Sequence, residues 1–438
     1  MTFKQKMRIY GNERISNYAK NPYFAGKKAI KKPLFSVFIG LISFTIIGIV
    51  ISLVTVNSLG VFASSTLKSN ALNEVTKPYN LSHQNVSDEF IESVNKVGEQ
   101  FFQKTLEDGN DNVVVSPFSY VHSLYALYDL KNDSFKTDNL LYKDGNYKNE
   151  MKKALNNISI KHVGDNRNSI YSNQYLGLFG NRNILNTFSE DYINLLSNNY
   201  YGEIYLSGKN NEDTARLVSD YLLKENALQN NNPEWNFADL NIVSGFSFEA
   251  NWQKTDFKKM VNKYSFVNDD ETVTDDVDYL SAQNIEISIA ETDENYFISI
   301  PISHYYDFNI IYSKYANVAF DGDLLSLHKM EKKQINANVI IPMFSTGYTS
   351  DLSNHILDYG VLNTSLYQNT HFELKENGVT ALAITGEDAS SGIEVIDDYN
   401  YNVFINRPFI YSITNNDGVV LIIGQLTNIS KEANDDEQ

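Results

Sequence analysis

Residues 403–413 have the sequence Val-Phe-Ile-Asn-Arg-Pro-Phe-Ile-Tyr-Ser-Ile. The runs on both sides of Asn406-Arg407-Pro408 are apolar and rich in β-branched and aromatic residues, a composition that favours β-strands. We therefore predict strands at 401–405 and 409–413, and the apolar run that follows predicts a third strand at 419–426.

Outward from this segment, strands dominate the second half of the chain and helices the first. Apolar residues at helical spacing predict helices at 88–106, after Pro117, 187–198, 211–225 and 351–359. Residues 131–150 are polar and are predicted to be a loop. Short apolar or β-branched runs predict further strands at 113–115, 175–179, 240–248, 285–290, 296–300, 308–312, 336–341 and 370–374. Helices first and strands later are typical of an α+β fold.

Four other segments carry recognisable patterns. They are Asn-Val-Val-Val-Ser-Pro-Phe-Ser at 112–119, Phe-Glu-Ala-Asn-Trp-Gln-Lys at 248–254, Val-Ile-Ile-Pro-Met-Phe at 339–344 and Gly-Gln-Leu-Thr-Asn at 424–428. Together with 403–413, and in the same order, they resemble segments of the serpins, a family of suicide protease inhibitors. The resemblance is to a bacterial-type, membrane-anchored or secreted member.

The resemblance implies a serpin fold, in which helices pack on a large mixed β-sheet accompanied by smaller sheets, with an exposed reactive-centre loop. On this basis we expect the serpin domain at 87–432, its reactive-centre loop at 386–399, and a polar tail at 433–438.

The first sixty residues differ from the rest in charge and hydropathy. Nine basic residues and one acidic residue precede residue 33, and no charge interrupts 34–59. Such a run can cross a bilayer, which needs about 20 apolar residues. We predict a basic cytoplasmic segment at 1–32, a transmembrane signal anchor at 33–60 with the N-terminus inside, and a flexible stalk at 61–86. Cleavage after Ala63 is the alternative, and it gives a secreted protein.

Composition excludes several classes of function. The chain has no cysteine, which excludes disulfides, thiolate metal sites and a cysteine nucleophile. The seven histidines lack helical metal-site spacing, and the acidic residues of 269–278 lack the pattern of a calcium loop. With a net charge of −18 and no basic stripe after the N-terminal segment, nucleic-acid binding is disfavoured. We expect a monomer without metal, cofactor or enzymatic activity.

Residues 372–385 resemble the serpin hinge, the segment that enters the main sheet after a protease cuts the loop beyond it. Glu376 belongs to this motif, and Gly378 gives the hinge freedom. Because a strand alternates its faces, one face carries small or β-branched uncharged side chains. These are Val379, Ala381, Ala383 and Thr385.

Two features of the following residues bear on insertion. No proline occurs in 376–407, so every residue before Pro408 keeps the backbone N–H that a β-ladder needs as a hydrogen-bond donor. Glu387 falls on the inward face, where burial of an unpaired carboxylate is costly.

The family's spacing from Glu376 places the scissile bond between Gly392 and Ile393. The preceding residues are small, and no Lys or Arg lies between Lys375 and Arg407. A trypsin-like target is therefore disfavoured. An elastase-like, subtilisin-like or papain-like protease fits better.

The region that lets the serpin sheet open maps to five residues, and two depart from the family. Ser116, Ser119 and Trp252 match, whereas Ser244 and Gln368 stand in place of an Asn and a His. A Ser244–Gln368 pair can replace the Asn–His hydrogen bond.

These observations leave two functions open. The first is an extracellular suicide inhibitor, favoured by Gly378 and by the small-faced, proline-free hinge. The second is a non-inhibitory serpin-fold module for surface binding or adhesion, favoured by Ser244, Gln368 and Glu387.

Overall fold

The computed structural model describes residues 67–68, 70–107, 112–131, 141–142, 146–162, 170–208, 211–225, 237–252, 254–315, 330–353, 364–374, 376, 392–397 and 400–429. The predicted cytoplasmic segment, membrane anchor and polar tail lie outside these residues. The fold below belongs to the unit Thr66–Gln438. None of the helices in the described ranges has the length and hydropathy to cross a membrane.

Helices occupy the first half of the described chain. They are α1 (Asp88–Glu107), α2 (Pro117–Lys131), α3 (Tyr147–Ile158), α4 (Glu190–Asn199) and α5 (Asn211–Lys224), with a 3-10 helix at Arg182–Thr187. The predicted helices at 88–106, 187–198, 211–225 and after Pro117 are confirmed. The predicted loop at 131–150 is wrong at its end, because α3 begins at Tyr147. Its first turn is polar, and its apolar face begins only at Met151.

The larger sheet has ten strands among the described residues. They are β1 (Val113–Val115), β6 (Lys258–Lys259), β9 (Tyr279–Glu291), β10 (Asn295–Pro301), β11 (Tyr306–Ser313), β12 (Lys333–Pro342), β15 (Gly392–Asp397), β16 (Asn400–Phe404), β17 (Phe409–Asn415) and β18 (Val420–Leu426). The strand order is β1-β18-β17-β11-β10-β9-β12-β16-β15, with β6 beside β9. The three strands predicted around Asn406-Arg407-Pro408 are therefore confirmed.

The six-stranded sheet is mixed. Its strands are β2 (Ile160–His162), β3 (Ile170–Asn181), β4 (Glu203–Ser207), β5 (Leu240–Ala250), β13 (Phe344–Asp351) and β14 (Thr364–Leu374). The order is β13-β14-β5-β3-β2, with β4 beside β3. A separate hairpin joins β7 (Tyr264–Val267) and β8 (Val273–Val277). Of the predicted helix at 351–359, residues 354–359 lie outside the described ranges, and Asp351 ends β13.

Helix α2 lies in the main core and contacts strands of both sheets. Phe118, Val121 and Leu124 are fully buried. On the opposite face of the six-stranded sheet, α5 packs over β3 and β4. Alternation along β3 explains both contacts, since Leu176 and Leu178 join the main core while Tyr175 and Phe179 join the cluster under α5. The predicted α+β architecture of helices on a large mixed sheet with smaller sheets is confirmed.

The predicted flexible stalk at 61–86 is wrong over its described part. Leu67 and Val86 are 3% and 4% exposed, so both ends of this described part are packed into the domain. Ala71 forms an isolated bridge with Tyr205 of β4. The polar composition suggested a stalk, but its few apolar residues are enough to dock it.

Candidate functional site

The two central strands of the six-stranded sheet separate along half of their length. β5 and β14 run parallel and pair only where Leu240–Ser244 face Thr364–Gln368. Residues 245–250 and 369–374 continue both strands without a mutual ladder. Each strand stays paired on its other side, β5 with β3 and β14 with β13. A gap between the two strands therefore opens at the end where β14 stops, and no other described strand lies between their facing edges.

A cavity of about 320 Å³ lies at the open end of this gap. The ends of β5 and β14 form its walls, and the ten-stranded sheet forms its floor. Trp252 is 8% exposed, and the centroid of its ring lies 4.6 Å from the ring centroid of Phe257. The lining is mixed, since Glu249, Asn251 and Glu373 contribute polar groups and the remaining side chains are apolar, among them Phe248, Trp252, Phe308, Phe372, Leu374 and Ile413. The apolar part of this lining accepts small uncharged side chains and penalises a charged one.

Below the gap, Gln368 joins β14 to the beginning of α2. Its Oε1 accepts a hydrogen bond from the backbone N–H of Ser116 at 2.8 Å, and its Nε2 donates to the Ser116 carbonyl at 2.8 Å. Gln368 is 1% exposed. Both amide atoms of the side chain are therefore used to satisfy backbone groups buried at the helix terminus.

Ser244 joins β5 to the same helix one turn further on. Its hydroxyl donates to the Ser119 carbonyl at 3.2 Å and lies 2.7 Å from the Ser123 hydroxyl. Ser119 in turn donates to Gln174 of β3 at 2.8 Å, and its hydroxyl lies 2.6 Å from that of Ser116. The proposed direct Ser244–Gln368 side-chain bond is replaced by two separate attachments to α2.

The structure thus brings four predicted residues, Ser116, Ser119, Ser244 and Gln368, into one buried polar cluster. It places Trp252 at the open end of the gap. Sequence reasoning missed Gln174 and Ser123, although a polar residue in an apolar strand and a serine four residues after Ser119 were available signals. Within the described ranges, no group of three or more His, Asp or Glu side chains could hold a metal ion.

No family model and no curated protein matches the sequence. Solved structures do match. Serpin48 of the insect Tenebrio molitor aligns with a TM-score of 0.59 and 18% identity over 79% of this chain and all of that chain. The thermophilic serpin tengpin in its native state gives 0.60 and 16% over 82% of this chain and all of its own. Mouse protein Z-dependent protease inhibitor gives 0.56 and 16%, covering 78% and 97%. The chain has the serpin fold.

The predicted hinge of this serpin fold lies mostly outside the described residues. This applies to Gly378, Val379, Ala381, Ala383 and Thr385. Glu376 is described, and its Oε1 is buried without a hydrogen-bond partner in the described structure. Burial of an unpaired carboxylate oxygen is unfavourable.

The expected reactive-centre loop at 386–399 needs a correction, because 392–397 form strand β15. Gly392 and Ile393 begin this strand and pair with Phe404 and Val403 of β16. β15 is the last strand in the sheet order, so one of its edges has no neighbour among the described strands. The scissile bond at Gly392–Ile393 stays a prediction.

Replacement of Gln368 by Leu is expected to lower the free energy of unfolding by about 2–4 kcal/mol. The change leaves the N–H of Ser116 buried and unsatisfied, at about 1–3 kcal/mol. It also removes one of two hydrogen bonds to the Ser116 carbonyl, which still accepts from the N–H of Tyr120 at 3.2 Å, at about 1 kcal/mol. Urea denaturation followed by circular dichroism measures it. Thr370→Val is the matched control, since it removes only a 3.3 Å hydrogen bond to Gln368 and should cost less. Equal losses in the two variants would show that the Ser116 contacts contribute little.

Proposed function

We propose that the chain is an exported serpin-type suicide inhibitor of a serine or papain-like cysteine protease. In this proposal the segment joining β14 to β15 is the bait, and after cleavage it enters the gap between β5 and β14. The gap is the observation that carries the proposal. A sheet whose central strands are already separated over six residues each can accept a strand there without first breaking any pairs.

The direction of the two strands suits this insertion. A segment that leaves the end of β14 and folds back runs antiparallel to both β14 and β5. Full entry therefore exchanges one parallel ladder for two antiparallel ladders, which are slightly more stable per residue. A cut after Gly392 leaves 377–392 attached to β14, enough for a turn and a strand as long as the 11-residue β14.

The alternation of hinge side chains between the two faces of a strand also supports insertion into the gap. If Val379, Ala381, Ala383 and Thr385 face the core, the side chains entering the cavity are small and uncharged. They would lie near Phe308 and Phe372, and the N–H and carbonyl groups along the facing edges of β5 and β14 would gain ladder hydrogen bonds. Filling the cavity and completing the ladders supplies the free energy for the movement.

The protease chemistry follows from the order of events. The Ser or Cys nucleophile attacks the scissile carbonyl and forms an acyl-enzyme with the new C-terminus of the loop. Insertion then carries the acylated protease along the sheet before water completes the hydrolysis. Among the structural neighbours, the mouse protein is named a protease inhibitor, which supports this assignment.

The loop sequence narrows the class of target. Gly392 follows Ala389, Ser390 and Ser391, and no cation lies between Lys375 and Arg407. We therefore propose a target of elastase-like, subtilisin-like or papain-like specificity. The apolar run at 34–59 and its basic flank support a location at the outer surface of a membrane, or secretion after cleavage at Ala63.

The test is formation of a covalent complex. The full chain is incubated with a subtilisin-like, an elastase-like and a papain-like protease, and the products are separated in denaturing detergent. We expect, with at least one of them, a band at the summed mass of protease and inhibitor less the mass of the released C-terminal peptide, and mass spectrometry should show that this peptide begins at Ile393. The same protease with its nucleophile replaced by Ala is the control and should give no band. Cleavage without any complex would favour the binding-module alternative, which Glu387 supports.

A further inference from the structure

Residues 67–86, hereafter the strap, are attached to the six-stranded sheet on the face opposite α2. Leu67 is 3% exposed and belongs to the second apolar cluster of the protein. The partners in this cluster come from β3, β4, β5 and α5, and include Tyr175, Phe179, Tyr205, Leu217, Tyr221 and Val243. Leu67 is thus held by the elements on the β5 side of the gap.

Hydrogen bonds extend this attachment along the edge of β4. The backbone N–H of Leu72 donates to the carbonyl of Ile204 at 2.8 Å. Asn73 accepts from the N–H of Ile204 at 2.8 Å and donates to the carbonyl of Gly202 at 2.9 Å and to the Ser197 hydroxyl at 2.7 Å. The strap therefore behaves as an additional edge of the sheet, joined to β4 and to the end of α4.

Lys77 fixes the middle of the strap. Its side chain is 9% exposed, and its Nζ donates to the carbonyl of Gln174 at 2.9 Å and to Asn173 Oδ1 at 3.2 Å. It also forms an ion pair with Glu225, the residue after α5, at 3.3 Å. A buried ammonium group is stable only when its partners are in place.

Glu225 is held in turn by several groups. Asn173 Nδ2 donates to it at 2.7 Å, and Lys224 lies 3.3 Å away. Burial opposes its charge most strongly, but Lys77, Lys224 and the Asn173 hydrogen bond together outweigh burial and lower the pKa of the Glu225 carboxyl. Lys77 therefore links β3 to the end of α5 through an ionised pair.

The other end of the strap is bound near the ten-stranded sheet. His83 Nε2 lies 2.6 Å from a carboxylate oxygen of Asp417, in the turn between β17 and β18. Asn157 of α3 donates to the carbonyl of Gln84 at 2.7 Å and to Asp417 at 2.9 Å. The chain then enters α1, which contacts β1 and β18. The strap thus connects the β5 side of the gap to the larger sheet.

Widening of the gap must move β5 away from β14 by about 4.8 Å, the spacing between neighbouring strands. Val243 of β5 shares its cluster with Leu67, so the front of the strap moves with β5 while its rear is held by Asp417 and α1. We propose that the strap restrains the widening of the six-stranded sheet and that Lys77 holds it on β3 and α5. The inference rests on the proposed insertion, and it makes displacement of the strap a way to regulate that step.

Hydrogen exchange of the full chain tests this restraint without a protease. The variants are Lys77→Met and Leu67→Ala, and the control is Lys68→Met, since Lys68 is exposed on the same segment. We expect exchange in peptides covering 240–244 and 364–368 to be about tenfold faster in Lys77→Met, from the loss of charged hydrogen bonds. Leu67→Ala should act in the same direction, and Lys68→Met should match the unmodified chain.

Peptides from β9 and β10 report on global stability. Faster exchange confined to 240–244 and 364–368 supports the strap as a restraint. Unchanged exchange there, or equal acceleration in β9 and β10, overturns it. Covalent-complex formation and the thermal unfolding of cut chain, both measured separately, test the proposed insertion, so a failure of insertion and a failure of the restraint give different results. If Lys77→Met does not fold, Leu67→Ala decides the question.

Discussion

A single cut within 386–396 is expected to raise the midpoint of thermal unfolding of the protein by about 10 °C or more. Residues 245–250 and 369–374, which form no ladder with each other, would give an inserted strand on the order of ten ladder hydrogen bonds, each worth about 1 kcal/mol net. The cavity lined by Trp252 and Phe372 would be filled as well. Intact protein is therefore expected to be the less stable of the two forms, although no contact is added from outside.

Differential scanning calorimetry of intact and cut protein measures this change, with mass spectrometry to establish the position of the cut. Protein cut in the same loop but carrying a charged residue on the inward face of the hinge serves as the control. An unchanged or lower midpoint would mean that the loop does not enter the sheet, and the binding-module function would then be preferred.

Replacement of Ala381 by Glu is expected to abolish the covalent complex and turn the protein into a substrate that the protease cuts repeatedly. Ala381 lies on the inward face of the hinge, so insertion would bring its carboxylate among apolar side chains such as Phe248 and Leu374. An unpaired buried charge costs several kcal/mol, comparable with the driving force itself.

Thr380→Glu is the matched control, because the neighbouring residue has the opposite parity and its side chain would point to solvent. It should retain trapping. Densitometry of complex and cleaved inhibitor at several ratios of inhibitor to protease measures the stoichiometry of each variant. Equal trapping by both variants would contradict the assigned parity of the hinge.

The local sequence pattern was sufficient to predict most helices and strands of this fold. It was insufficient to predict several side-chain contacts of the candidate site. Apolar runs such as 113–115 and 409–413 correspond to buried strands. The attachments of Ser244 and Gln368 to α2 were not predictable, since a sequence does not show which backbone groups at a helix end need a partner. β15 was missed because it was assigned to the loop by family spacing alone.

The packing of the strap was even less predictable from the sequence. Its composition is that of a linker, and its position depends on residues far along the chain. Lys77 and Glu225 are 148 positions apart, and neither belongs to a periodic pattern that points to the other. A lysine in a polar segment is normally solvated, so only the tertiary structure identifies this one as buried.

The five residue pairs that still join β5 to β14, from Leu240↔Thr364 to Ser244↔Gln368, have a kinetic consequence. The first six residues of an entering strand find open edges, but each later step must unzip one of these pairs. In the proposed mechanism, deacylation of the protease proceeds during that time. The stability of this short ladder therefore determines whether insertion or hydrolysis of the acyl-enzyme is completed first. A more stable ladder would slow insertion. The intact protein would then persist longer, but the protease would more often hydrolyse it as a substrate.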